Sequence, residues 1–333
     1  QMCIRDRFRM DRGLNRNKRS RLAACATAAA LAVSLSATGV VAQDDADEPL
    51  DLAVVTINLQ ALFFNQMNDG AQAAADAAGA NLQIVNANND PAAQNDAIET
   101  LTADGVDGIL VIAIDTNGIM PAVESAAEAG VTIVAADAIL PDGPQIAQVG
   151  VDNYGAGADM GAFFLDWVEA GGEPVQIGII GALNSTIQNV RQAGFEETIA
   201  ANENVEVVGV VDGQNVAEVA LAAAENLITA NPDLNAVYAT GEPALVGAVA
   251  AVEAQGAEDR VSVFGWDLTS QVIAGIDAGF VNAVVQQDPA GIGSASIEAL
   301  VTSLTGGEVE SVIDVPITIV TSENVDDFRA TFE

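Results

Sequence analysis

Short apolar runs alternate with longer alanine-rich segments from Leu50 onward, and this alternation limits the chain to one class of fold. The apolar runs are rich in β-branched residues and are not interrupted by polar ones, which is typical of parallel strands buried on both faces. The predicted strands are 52–57, 81–86, 108–113, 131–136, 146–151, 175–180, 205–211, 236–239, 261–265 and 281–286, and the predicted helices include 65–78, 90–103, 119–129 and 216–230. This order of elements predicts an α/β fold with helices on both faces of a parallel sheet. Ten strands exceed one compact unit of ordinary size, so we expect two domains of roughly 100–150 residues each.

The positive charges are concentrated at the start of the chain. Eight of the eleven Lys and Arg residues precede residue 22, and an apolar run over 22–41 follows them. Together with the small residues before Gln43, these segments have the organisation of a secretory signal peptide that is cleaved after Ala42. The lipoprotein-like box ending at Cys25 stands at the start of the apolar run rather than at its end, so we favour plain cleavage. We therefore predict a signal peptide over 1–42 and an acidic leader over 43–49. The mature chain is expected to be secreted to the periplasm or cell-envelope exterior and not to span the membrane.

Cleavage at that point leaves an extremely acidic protein. Two of the 47 acids, Asp6 and Asp11, lie in the removed segment, so 45 acids remain against Arg191, Arg260 and Arg329, a formal charge of −42. Such a chain has no basic surface with which to displace counterions, and we expect no nucleic-acid partner. Arg260 and Arg329 stand beside acids and are assigned to surface ion pairs. The self-repulsion of so many acids indicates a saline habitat.

The residue types in 43–333 exclude most active-site chemistry. This segment has no Lys, His or Cys, so it cannot build a Ser–His or Cys–His nucleophile pair, a Schiff base or a thiolate or imidazole metal site. It also has no Gly-rich phosphate loop after its first strand. Carboxylates, amides, aromatic rings and arginine remain, and these suit a protein that holds a polar ligand. We predict no catalytic residue, no metal and no cofactor.

Candidate ligand-binding residues follow from the topology. In a doubly wound sheet the ligand lies beyond the carboxyl ends of the strands. Aromatic faces there would pack against the C–H groups of a sugar, and carboxylates and amides would bond its hydroxyls. The side chains at those ends are Phe63, Phe64, Asp137, Trp266, Asp267 and Gln287.

Segments with a specific order and spacing resemble the ribose-binding-protein branch of the periplasmic sugar-binding proteins. They are Val54-Val55, Phe63-Phe64-Asn65-Gln66-Met67-Asn68-Asp69-Gly70-Ala71, Asn88-Asn89-Asp90-Pro91, Gly105-Val106-Asp107-Gly108-Ile109, Gly130-Val131, Val151-Asp152-Asn153-Tyr154-Gly155, Arg191-Gln192-Ala193-Gly194-Phe195, Phe264-Gly265-Trp266-Asp267 and Gln287-Asp288-Pro289. The resemblance covers the chain from about residue 50 to its end. It implies a type I periplasmic binding protein, in which two doubly wound parallel-sheet lobes are joined by a three-strand hinge and enclose a sugar. The implied lobes are 50–152 plus 288–315 and 153–287 plus 316–333.

The resemblance also implies roles for individual residues. The ring-stacking aromatics fall on Phe63, Phe64 and Trp266, the hydroxyl-binding acids on Asp137 and Asp267, the cleft arginine on Arg191 and the hinge-side amide on Gln287. Three positions depart from the family's pattern. The family has a polar residue where this chain has Ala61-Leu62, an arginine where it has Ala138, and an asparagine where it has Gly241. These losses argue against ribose itself. Candidates to compensate for them are Asn58, Gln60, Asn189 and Glu242.

Simpler structural roles compete with this interpretation. Phe63 and Phe64 could be core residues at a helix start, and Trp266 could be buried filler. Asp137 and Asp267 could cap helices.

The implied function is a monomeric, secreted solute-binding protein that delivers a monosaccharide or similar polyol to the permease subunits of an ABC importer. Three alternatives stay open. The first is a receptor that presents a sugar to a chemotaxis or signalling partner. The second is a sugar-responsive transcription regulator, which would need a basic helix-turn-helix where this chain has a signal peptide. The third is a glycosidase that uses Asp137 and Asp267 as its carboxylate pair.

We predict that the stability of the mature chain depends on salt. Added NaCl should raise the melting temperature, because salt screens the mutual repulsion of acids that have almost no cationic partners. Thermal melts from low to about molar NaCl, where the Debye length falls to about 3 Å, measure the effect. A melting temperature that does not change over this range would contradict the prediction and remove the argument for a saline habitat.

Overall fold

The computed structural model of the protein describes residues 49–59 and 61–332. The predicted signal peptide, the predicted leader except Pro49, and Gln60 lie outside this part. Within it the chain forms two six-stranded sheets with helices packed on their faces.

The N-terminal lobe is built on an all-parallel sheet. Its strands are β1 (Asp51–Thr56), β2 (Asn81–Asn86), β3 (Gly108–Val111), β4 (Thr132–Ala136), β5 (Ala147–Gly150) and β11 (Val312–Asp314), in the order β11-β5-β4-β3-β1-β2. Its helices are α1 (Leu62–Ala78), α2 (Pro91–Asp104), α3 (Met120–Glu128) and α9 (Pro289–Leu304). Leu52 and Val54 of β1 belong to one core cluster, and Ala53 and Val55 belong to another. Alternate residues of the strand therefore enter cores on opposite faces of the sheet, which explains the uninterrupted apolar run.

The C-terminal lobe repeats this plan. Its strands are β6 (Val175–Gly181), β7 (Val205–Asp212), β8 (Ala236–Ala239), β9 (Ser262–Trp266), β10 (Val281–Gln286) and β12 (Thr318–Val320), in the order β12-β10-β9-β8-β6-β7. All of its pairings are parallel except that of β12 with β10. Its helices are α4 (Asn153–Gly171), α5 (Thr186–Ile199), α6 (Ala217–Ala230), α7 (Glu242–Ala254), α8 (Ser270–Ala278) and α10 (Arg329–Phe332), with a 3₁₀ turn over Val325–Asp327.

The chain crosses between the two sheets three times in the described residues. The crossings lie at 151–152, between β5 and α4, at 287–288, between β10 and α9, and at 315–317, between β11 and β12. The predicted fold class, two doubly wound parallel lobes with a three-strand hinge, is confirmed. No helix in the described residues is long and apolar enough to cross a membrane.

The sequence patterns missed some local features. The strands β11 and β12 were not predicted, because each has only three residues and lies at the edge of its sheet. Helix α1 begins at Leu62 rather than at residue 65. The backbone N–H of Ala61 donates to Oδ1 of Asn58 at 2.8 Å, so this asparagine stabilises the turn that starts the helix early. Phe63 and Phe64 therefore lie inside the first helical turn.

Glycines bring one pair of helices in each lobe into backbone contact. Helix α1 packs against α9 in the N-terminal lobe, and α4 packs against α5 in the C-terminal lobe. A Cβ added at Gly70 or Gly293 would clash with the backbone of the facing helix, and so would one at Gly157 or Gly194. In each lobe, one helix of the pair directly follows a crossing, so this contact anchors the incoming chain.

We predict that Gly293→Ala destabilises the protein by about 1–3 kcal/mol or more, because the new methyl group meets the carbonyl oxygen of Met67 in the facing helix and the backbone has to move. Urea unfolding measures the change in free energy. The control is Gly171→Ala in α4, where a Cβ meets no atom within 4 Å, and the change should be neutral or stabilising by up to about 1 kcal/mol. Equal effects of the two substitutions would contradict close packing at Gly293.

Candidate functional site

Two acids occupy equivalent positions in the two lobes. Asp137 follows β4 and Asp267 follows β9, and both residues have positive φ, 63° and 66°. The backbone N–H of each donates to the neighbouring strand, to the carbonyl of Val149 or of Val285, at 2.9 Å in both cases. The left-handed conformation is uncommon for residues other than glycine, and Asp tolerates it better than most. Neither acid caps a helix: Thr269 caps α8, and the first helix after Asp137 is α4, capped by Asp152.

A glutamine of the next strand holds each of these strand-end loops. Gln148 accepts a hydrogen bond from the N–H of Leu140 at 3.2 Å and donates to the carbonyl of Ala138 at 3.0 Å. Gln286 accepts from the N–H of Leu268 and donates to the carbonyl of Gln287, both at 2.8 Å. Hydrogen bonds of the surrounding backbone and of these glutamines thus fix the position of each acid.

Arg191 is the buried cation of the site. It lies on α5 and is only 5% exposed. Its Nε donates to Oδ1 of Asn153 at 2.8 Å, and its Nη1 donates to the carbonyl of Thr240 at 3.4 Å. The guanidinium carbon lies 3.8 Å from the ring centroid of Trp266, and Nη1 is 4.0 Å from Oδ2 of Asp267. Neutral groups and an aromatic face therefore hold the guanidinium at close range, and a carboxylate balances it at longer range.

Trp266 requires a correction. The prediction that its ring stacks on the ligand is wrong for this structure, because the side chain is fully buried and does not line the cleft. As the last residue of β9 it shares the core face of the sheet with Phe264. Its Nε1 donates to the hydroxyl of Tyr238 at 2.8 Å, and the guanidinium of Arg191 covers the ring. Trp266 therefore supports the arginine and presents no face to the cleft in this structure.

The other predicted residues come together in one cleft between the lobes. A cavity of about 620 Å³ is lined by Phe63, Phe64, Asp137, Arg191, Asp267 and Gln287. The two phenylalanine rings are half-buried and meet edge to face, with centroids 5.4 Å apart. Gln287 is 7% exposed and donates from Nε2 to Oδ1 of Asp267 at 2.9 Å.

A second cavity of about 550 Å³ adjoins the first and shares Asp137, Ser185 and Ile187 with it. Its lining includes the first crossing and the start of α4. It does not include Arg191, Asp267 or the phenylalanine pair, so we place the functional site in the first cavity.

The sequence analysis missed Gln188. This residue lies one turn before Arg191 on α5, is 6% exposed and lines the cleft. Its Oε1 accepts from the hydroxyl of Thr240 at 2.8 Å, and its Nε2 donates to Oδ1 of Asn215 at 2.6 Å. A Cβ at Gly241 would come within 2.7 Å of the Gln188 side chain. The amide of Gln188 thus fills the space next to Gly241, where a larger residue would place its side chain. The sequence signal that could have identified Gln188 was its position three residues before Arg191, which places the two on the same face of a helix.

The four residues proposed to compensate for the departures have different positions. Glu242 lines the cleft at the start of α7. Asn58 and Asn189 do not line it, and their amides donate to Asn89 and to the carbonyl of Leu183. Gln60 lies outside the described residues.

The electrostatics of the cleft are dominated by burial. Burial raises the pKa of Asp137 and of Asp267, and the attraction of Arg191 offsets only part of each rise. Glu242 is an exposed residue at the cleft, where partial desolvation and then the neighbouring Asp267 raise its pKa. Burial lowers the pKa of Arg191, while both aspartates oppose this.

No group of acids, His or Cys in the described residues is arranged to hold a metal ion. The cleft can therefore accept and donate hydrogen bonds, but it presents no nucleophilic thiol, imidazole or amine.

Comparisons with known proteins agree with this fold. Residues 52–308 match the family described as the periplasmic binding protein domain. The ribose import binding protein of Escherichia coli (strain K12) is 29% identical over 294 residues, which cover 88% of this chain and 96% of that protein. A periplasmic ribose ABC transporter structure from Conexibacter woesei DSM 14684 is 24% identical with a TM-score of 0.79, covering 85% of this chain and 95% of that one. A solute-binding protein from Actinobacillus succinogenes 130z, solved with bound D-allose, is 25% identical with a TM-score of 0.74. The match covers 84% of this chain and 100% of that one.

We predict that Asp137→Asn stabilises the ligand-free protein at neutral pH. Because the folded-state pKa of Asp137 is raised above its ordinary value of 3.8, ionisation costs wild-type stability as the pH rises from 3.8 through the folded-state value. Asparagine does not ionise, so the advantage of the variant should grow over that window and then stay constant. Melting temperatures from about pH 3 to 7 measure it. Asp142→Asn, at an exposed carboxyl, is the control for loss of one charge. An advantage that shrinks as the pH rises would contradict the prediction.

Proposed function

Because the chain belongs to the periplasmic binding protein family, we propose that it is a secreted solute-binding protein that captures a monosaccharide or similar polyol and delivers it to an ABC importer. The observation that carries this proposal is the cleft of about 620 Å³ between the lobes, where aromatic rings, carboxylates, an arginine and amides converge. This set matches a polyol, whose C–H groups pack on aromatic faces while its hydroxyls both donate and accept.

Each wall of the cleft has its own task. Phe63 and Phe64 of the N-terminal lobe offer aromatic faces, and Asp137 of the same lobe accepts hydrogen bonds from hydroxyl groups. The opposite wall contributes Arg191 and Asp267, with Gln188 and Gln287 as the amides. A ligand that bonds to both walls favours the closed arrangement over an open one, and this differential affinity shifts the population of the two.

The three crossings are the hinge for this motion. We assign 50–152 plus 288–315 to one lobe and 153–287 plus 316–333 to the other, so that 151–152, 287–288 and 315–317 absorb the change in backbone angles. The permease subunits of the importer would then recognise the closed, loaded form. The signal-like segment over 1–42 would direct the protein to the periplasm or cell-envelope exterior, where it acts as a monomer.

The relatives support transport rather than sensing or catalysis. The E. coli relative is named as a ribose import binding protein, and the A. succinogenes structure contains D-allose. A panel of monosaccharides and polyols tested by calorimetry on the mature chain examines the proposal directly, and binding of at least one is expected. Incubation with nitrophenyl glycosides should release no nitrophenol. The proposal fails if no member of the panel binds or if a glycoside is hydrolysed.

We predict that Arg191→Ala weakens the binding of the cognate sugar by about 2–5 kcal/mol, because it removes donors and leaves carboxylates facing each other in a desolvated cleft. Arg191→Lys should also weaken binding, since an ammonium cannot reproduce two parallel N–H donors. The control is Arg260→Ala, whose exposed side chain donates to the carbonyls of Pro232 and Leu234. Its effect should be less than about 0.5 kcal/mol. Equal affinities of all three variants and wild type would remove Arg191 from the binding site.

A further inference from the structure

Building on the function proposed above, we propose that the ligand carries a basic amine: the cleft binds an amino sugar or amino polyol in preference to its neutral counterpart. The first observation is the charge of the cavity. Its lining contains three carboxylates, Asp137, Glu242 and Asp267, and among the described residues that line it Arg191 is the only cation. The walls thus carry two more negative charges than positive ones.

Arg191, whose charge is already counted in this difference, forms no close hydrogen-bonded ion pair with these acids. Its Nε is used by Asn153 and its Nη1 faces the carbonyl of Thr240, both within its own lobe. One face of the guanidinium lies against the ring of Trp266. The shortest approach to a carboxylate oxygen is 4.0 Å, to Asp267, which is longer than a hydrogen bond.

The remaining neighbours do not supply the missing charge either. The residue after Asp137 is Ala138, and the partner of Asp267 on the hinge side is the neutral amide of Gln287 at 2.9 Å. Arg329 is used in ion pairs with Asp277 and Asp326, and Arg260 donates to backbone carbonyls, so neither lies in this cavity.

Closing the lobes over a neutral ligand would therefore bury uncompensated carboxylates. Desolvation raises the pKa of all three acids, and the charge of Asp267 adds to the rise at Asp137 and Glu242, so the site disfavours their ionised forms. An ammonium group removes the penalty, since it donates three hydrogen bonds and accepts none. It also interacts favourably with aromatic faces such as those of Phe63 and Phe64.

A metal ion would be the other way to supply positive charge. The described residues contain no group of three or more acids, His or Cys arranged to hold one, so the carboxylates of the cleft do not form a coordination cage. Carboxylates that line a common space from different elements, with a glutamine amide bonded to one of them, suit a larger polar cation whose remaining atoms are hydroxyls.

The test is calorimetric titration of the mature chain with matched ligands at one salt concentration. The pairs are glucosamine and glucose, galactosamine and galactose, and glucamine and sorbitol, at about pH 6, where a primary amine of this kind is protonated. The amine member of at least one pair should bind about tenfold or more tightly than its neutral partner, the size expected for a hydrogen bond to a charged group. The N-acetyl form of the preferred amino sugar, which keeps the nitrogen but not the charge, should lose this advantage.

A variant tests whether the cleft itself is responsible. Glu242→Gln should reduce the amine-to-neutral affinity ratio several-fold. Glu128→Gln removes the same charge from an exposed position on α3, outside both described cavities, and should leave the ratio unchanged. If a neutral member binds as tightly as its amine partner, or if both variants change the ratio equally, the amine proposal is overturned and the sugar-binding function stands. If no ligand of either kind binds, both are overturned.

Discussion

Burial of a single guanidinium is the constraint on which the cleft depends. Removing an arginine from water is costly unless its donors are bonded, and residues 43–333 contain only three arginines to set against 45 acids. Arg191 resolves this with an amide oxygen, a backbone carbonyl and an indole face at close range. Because neutral groups do most of this work, the arginine donates no short hydrogen bond to Asp137 or Asp267. Oδ1 of Asp267 accepts from Gln287, and the other oxygens of the two aspartates can accept hydrogen bonds from something else.

The two lobes share one scaffold and differ in what it presents. Both contain an aspartate with positive φ at the end of the equivalent strand, β4 or β9. In both, a glutamine of the next strand holds the loop that follows, and glycines bring two helices into contact. The aromatic pair occurs only on the N-terminal wall, and the arginine with Gln188 only on the C-terminal wall. The cleft is therefore symmetric in these two aspartates but asymmetric in Glu242, the aromatic pair, the arginine and the amides, which favours one orientation of a ring-shaped ligand.

Much of this arrangement could be predicted from the sequence. Most of the ten longer strands were visible because both of their faces are buried, which produces apolar runs; the edge strands β2 and β7 are more exposed and include polar residues. Asp137 and Asp267 could be placed at the cleft because parallel strands end at a common edge. The predictions that failed concern side chains that point away from the cleft or that form local hydrogen bonds instead. Trp266 is still part of its strand and points into the core, and Asn58 is used by the turn that begins α1. Gln188 lies on a helix, where a rule about strand ends does not apply.

Asn153 and Gln287 connect the binding residues to the hinge. Asn153 opens α4 directly after the crossing at 151–152, and Gln287 lies in the crossing at 287–288, yet their amides hold Arg191 and Asp267. The groups proposed to recognise the ligand thus share hydrogen bonds with the segments proposed to bend. Ligand affinity and the rate at which the lobes open are therefore coupled. Substitutions at these positions that alter the preferred ligand during evolution would therefore also alter the rate at which the protein releases it.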